Sequence, residues 1–268
     1  MNTDNQLKIS LYYYILICFH YSNNDDYKTK LKMVGMDIDD AEFMSELENK
    51  CKTIGKHGWV YSPFVETEPY KTVTYIDDWI DAIRSGHEER IDKYFIDQDY
   101  SLLKNLYGRI IHDLINFNQY RFSYTVKESL DNFFDKRYIS CAHTLFTTLE
   151  GLIRSCKIPQ WKWKLLPFFD ETTKKEFEGA DINDMNDKIS LIVEKHLMLP
   201  SLSTALERFY SLNSDQQFGK INSIEPDYIQ RDWLLHGMTS NNVTQRECIQ
   251  LFNTIATFLG MRTDLADS

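Results

Sequence analysis

The sequence predicts an all-α protein, on three observations. Apolar residues recur at intervals of three and four along most of the chain, and no segment has the strict alternation of a half-buried strand. Only 10 glycines and 6 prolines punctuate 268 residues, too few for a loop-rich β-sandwich.

Taken in order, residues 37–54 read as a helix with an acidic start, closed by Gly55. Residues 58–70 carry two prolines and read as a connector. Helices follow over 75–83, 88–95 and 101–117, the last with Leu103, Leu106, Ile110 and Leu114 along one face. The clearest helix covers 136–157, where Ala142, Leu145, Phe146, Leu149, Leu152 and Ile153 make an unbroken stripe that Pro159 ends. An irregular basic-aromatic connector comes next. Two helices, 189–197 and 202–212, are expected on either side of Pro200, and a polar loop over 213–223. Pro226 suits the first turn of a helix running to His236, with Gly237 as its stop. A last helix begins near Asn242, with Cys248, Leu251, Phe252, Ile255 and Leu259 inward.

Three regions are expected: a leader over 1–36 outside the fold, an N-terminal helical region over 37–118, and a helical domain over 119–268. The apolar run 11–19 is too short to span a bilayer, which needs about 18 apolar residues, and it lacks a small-residue cleavage site. Met33 and Met36 are alternative starts that would leave the leader dispensable. Five cysteines stand singly with no C-x-x-C, the usage of buried free thiols in a reducing cytoplasm. A formal charge of -10 excludes a protein that coats nucleic acid through its overall field, so any polyanion must meet a local patch.

The common catalytic signatures are missing: no phosphate loop, no G-x-G-x-x-G, no H-E-x-x-H and no G-x-S-x-G. No metal and no cofactor is expected. His112, His143 and His196 sit singly within helices and read as structural histidines.

One constellation differs. Residues 230–237 read Gln-Arg-Asp-Trp-Leu-Leu-His-Gly. On a helix, Asp232 and His236 are four apart and within reach of each other, whereas Arg231 is rotated by about 140° from His236 unless the first turn is irregular. A guanidinium, a carboxylate and an imidazole so close together suit phosphodiester chemistry on RNA. Arginine pairs with phosphate oxygens, and histidine moves the proton of a 2′-hydroxyl or of a departing 5′-oxygen. One histidine does not readily serve both ends of an in-line displacement, which points to a homodimer. Arg137 and His143 fit the same loose spacing, but Tyr138 stands where a small polar group is wanted.

These residues resemble the R-polar-x-x-x-H signature of HEPN domains, in the form that ends in glycine. Residues 138–154 resemble the long preceding core helix with its acidic and basic ends, and the closing helix after Asn241 and Asn242 also fits. The resemblance covers about 119–259. Gln230 replaces the usual asparagine, and Asp232 stands where asparagine or histidine is common.

The resemblance implies a HEPN-like helical bundle with an additional N-terminal helical segment. It further implies dimerisation and a metal-independent endoribonuclease that leaves 2′,3′-cyclic phosphate and 5′-hydroxyl ends. Arg231 and His236 would be catalytic and Asp232 their polar support, in a toxin or an antiviral, abortive-infection effector. An antitoxin or regulatory partner belongs to that picture. Members with degraded motifs serve instead as RNA-binding or assembly modules, the alternative reading. For RNA contact the sequence offers Arg154, Lys157, Trp161, Lys162 and Lys164, with Trp163 a further aromatic platform. Packing of the tryptophans in the bundle is the plain alternative.

Overall fold

The computed structural model describes residues 40–62, 72–155, 194–210 and 225–260, which form helices and their connections with no strand among them. In chain order these are α1 (Ala41–Lys56), α2 (Thr72–Arg84), α3 (Glu89–Asn116), α4 (Ser123–Phe134), α5 (Tyr138–Ser155), α6 (Leu199–Tyr210), α7 (Arg231–Leu235) and α8 (Gln245–Gly260). The all-α expectation holds for the described residues. No helix among them is long and apolar enough to cross a membrane. Cys51, Cys141 and Cys248 are buried free thiols.

α8 is the centre of the fold. Every residue from Cys248 to Leu259 is buried, so the helix is covered on all sides by α3, α5 and their neighbours. Its buried polar side chains have a definite task. Trp59 to Ser62 run without helical structure through the core, and their backbone groups need partners there. Asn253 donates to the carbonyl of Val60 at 2.5 Å, Gln250 to that of His57 at 2.9 Å, and the Ser201 hydroxyl accepts from the amide of Tyr61 at 3.0 Å. One buried cluster runs from Met44 in α1 to Leu259 in α8, so helices on both sides of Asn118 share a core.

α1 begins where Asp40 accepts from the amide of Phe43 at 3.0 Å. The expected stop at Gly55 is corrected: Gly55 lies inside α1, at its crossing with α6. A Cβ there would meet Thr204 Oγ1 at 1.8 Å and the carbonyl of Ser201 at 2.3 Å. The helix ends beyond it, where Gly58 turns left-handed with φ 84° and Trp59 donates back to Ile54 at 3.2 Å. The same left-handed ending recurs at Gly86, Asn118, Lys136 and Gly237.

α4 escaped the sequence pattern because its inward face is half polar: Val126, Ser129, Asn132 and Phe133. It packs on α5 through paired hydroxyls, Thr125 with Thr148 at 2.8 Å and Ser129 with Thr144 at 2.7 Å. The gap expected between 95 and 101 is a break within α3. Gln98, Asp99 and Tyr100 take φ of 53°, 55° and 58°, a left-handed conformation that costs about 1–2 kcal/mol per residue. Tyr100 is held there by edge-on contacts with Phe133 and Phe134 and by Gln245, which donates to its hydroxyl at 3.1 Å.

The expected separation of helices at Pro200 is corrected as well. Pro200 occupies the first turn of α6, where a missing amide hydrogen is harmless, directly after a wide turn over Glu194–Met198.

Candidate functional site

The expected helix from Pro226 to His236 shrinks to five residues, Arg231–Leu235. Its missing first turns have a physical cause. The amide of Ile229 donates to Glu247 at 2.8 Å, and Glu225 accepts from the amide of Ser240 at 2.8 Å and from the hydroxyls of Thr239 and Ser240. Asn241 donates to the carbonyl of Pro226 at 2.7 Å. Residues 225–230 are thus tied to the start of α8 and to the 239–241 loop rather than coiled on themselves.

The chain enters α7 through Gln230 in an extended conformation (φ -125°, ψ 140°). Arg231 is therefore the first helical residue, at the irregular point that its spacing from His236 requires. Trp233 and Leu234 are buried and anchor the short helix against α5 and α6. His236 caps the other end. Its amide donates to the carbonyl of Asp232 at 3.2 Å, and its side chain is exposed. Gly237 follows with φ 67° and sends its amide back to Leu234 at 3.0 Å, the expected stop.

The tertiary structure adds what the motif did not reveal. Arg231 Nε and Nη2 both donate to Glu150 Oε2 of α5, at 3.0 and 2.6 Å, and Nη1 donates to Asp232. Arg154, one turn further along α5, donates to the other Glu150 oxygen. Two guanidiniums and two carboxylates so form one cluster of zero formal charge. Burial by itself would lower the pKa of Arg231, but its bonds to Glu150 and Asp232 outweigh that and raise it. Tyr210 of α6 is buried beside the cluster. Desolvation, and secondarily the negative charge of Glu150, pushes its phenol well above the ordinary value. The Tyr228 ring in the entry segment stacks under Arg208 at 3.6 Å, and its hydroxyl accepts from Gln230 at 3.3 Å.

Of the sequence-predicted residues, Arg231, Asp232 and Arg154 meet through Glu150, and His236 stands at the far end of α7. Lys157, Trp161, Lys162 and Lys164 lie outside the described residues. Glu150 carried a visible signal as the acidic residue near the end of the core helix, whereas Tyr210 was not singled out within the helix expected over 202–212. His196 and His112 bond Glu48 and Asp113 at 2.6 and 3.1 Å, in keeping with structural roles. Among the described residues, no group of three His, Cys, Asp or Glu converges as a metal site.

The arrangement sets a guanidinium paired with two carboxylates at the start of α7 and an exposed imidazole at its end. No family model, no curated protein and no solved structure matches the chain.

Proposed function

We propose that the protein is an endoribonuclease of the HEPN type, working as a dimer and acting as a toxin or antiviral effector. The observation that carries this reading is the pairing on α7 of a guanidinium braced by Glu150 with an exposed imidazole at Ccap, five residues on. In the proposed reaction His236 takes the proton of a ribose 2′-hydroxyl, and the 2′-oxygen forms a bond to the adjacent phosphorus. The bond from phosphorus to the 5′-oxygen breaks, and the His236 of a second copy protonates that oxygen, leaving a 2′,3′-cyclic phosphate and a 5′-hydroxyl. Arg231 stabilises the charge that develops on the phosphoryl oxygens. Proton transfer and charge stabilisation both come from side chains, so the reading requires no metal.

A second reading is favoured by one observation: Arg231 already engages two carboxylates, as a purely architectural arginine would. An inactive HEPN-like module that binds RNA or assembles is then the alternative. Purified protein incubated with RNA in EDTA separates the two. Cleavage that is kept in chelator and lost in Arg231→Ala and His236→Ala supports the nuclease; retained binding without cleavage in the wild type supports the module. In the nuclease, Asp232→Ala is less damaging than His236→Ala.

A further inference from the structure

A cavity of about 400 Å³ opens between α2 and the first half of α3 and shares no residue with the Arg231 cluster. Its floor is apolar, made by Trp79, Ala82, Ile91 and Leu102, all buried. Its rim is charged. Arg90 is occupied by Asp81 at 2.6 Å, and Asp78 lies close enough to Arg90 and Tyr94 to act on both.

Lys93 and Asp97 are left. They are four residues apart, on one face of the helix. The chain leaves helical geometry at Asp97 (ψ 159°) and then turns left-handed through Gln98, Asp99 and Tyr100. Among the described residues, no hydrogen bond or ion pair engages either side chain. The break begins at ψ of Asp97, beyond its Cβ, so Lys93 and Asp97 keep helical spacing and present one positive and one negative group side by side, not bonded to each other, at the mouth of an apolar cavity. Strained backbone of this kind concentrates where a ligand is held. Trp79 supplies a second sign, a buried indole N–H with no hydrogen-bond partner, which an oxygen acceptor on an occupant would satisfy.

We propose that this cavity binds a small zwitterion with an apolar body, of the α-amino acid type. The carboxylate faces Lys93 and accepts from the Trp79 indole N–H, the ammonium faces Asp97, and the side chain lies over Ile91 and Leu102. An anion alone would face Asp97 and a cation alone would face Lys93, so only a ligand of both signs answers the whole rim.

The test is a titration of the full-length chain with L-phenylalanine, followed by calorimetry and by the Trp79 indole signal in ¹H–¹⁵N spectra, assigned from Trp79→Phe. N-acetyl-L-phenylalanine removes the ammonium and L-phenylalanine methyl ester removes the carboxylate. Saturable binding of L-phenylalanine is expected, with each analogue weaker by about tenfold, the scale of one lost charged hydrogen bond. Lys93→Ala and Asp97→Ala, both exposed substitutions, should weaken binding by a similar factor. Absence of saturable L-phenylalanine binding overturns the proposal, as does an analogue that binds equally well.

Discussion

Arg231 and Glu150, eighty-one positions apart, meet through two hydrogen bonds from one guanidinium edge to a single carboxylate oxygen, at 3.0 and 2.6 Å. This contact joins the short helix α7 to the core helix α5. It also brings Arg154 into the cluster through the second Glu150 oxygen.

Removing Glu150 leaves two guanidiniums without their common acceptor. Glu150→Ala is expected to destabilise the fold by about 1–3 kcal/mol, read as a fall of roughly 2–4 °C in Tm per kcal/mol. A double-mutant cycle with Arg231→Met should return a coupling of about 0.5–3 kcal/mol. Additive losses would mean that the contact holds nothing.

Arg154 is the exposed member of the cluster, with 59% of its side chain accessible, and can leave Glu150 for a phosphate. If the proposed RNA binding holds, Arg154→Ala should weaken affinity in salt titrations and reduce the slope of log K against log salt by about 0.7, one phosphate contact on a single strand. An unchanged slope would remove Arg154 from the proposed RNA contacts.

Gly237 sits at φ 67° with open space where a Cβ would stand, so a side chain there meets strain from the backbone alone. Gly237→Ala should cost about 1 kcal/mol and Gly237→Asn distinctly less, because asparagine tolerates the left-handed region. In the proposed nuclease, cleavage should fall with the alanine variant, since the turn sets where His236 stands. Equal melting of both variants would show that the turn adopts another conformation.

The Glu225 tether predicts an acid-sensitive step. Desolvation pushes its carboxyl up, but the bonds from Ser240 and Thr239 outweigh it and hold the pKa below the ordinary 4.5. A depressed carboxyl stabilises the fold fully above the unfolded value, and that contribution disappears as pH falls through the folded value. Between pH 5 and pH 3 the wild type should therefore lose more thermal stability than Glu225→Gln, which carries no charge to lose. Parallel pH profiles for the two proteins would refute the tether.

Periodicity alone read most of the helices, because α1, α3, α5, α6 and α8 each bury an apolar stripe. It passed over α4, whose contacts to α5 run through threonine and serine hydroxyls that no hydropathy pattern registers. It also drew the helix before His236 too long, because the groups that unwind residues 225–230, Glu247 and the 239–241 loop, lie far enough along the chain that local propensity does not include them.

The sequence by itself determined the helical class, the stop at Gly237, and the presence of an arginine, a carboxylate and a histidine within six residues. Those are local properties of side-chain spacing and backbone freedom. Only the tertiary structure decided that Glu150 and Arg154 join Arg231, that Tyr210 is buried against them, and that Lys93 and Asp97 border a cavity. Each of these depends on where separate helices cross, which is not encoded in the order of neighbours along the chain.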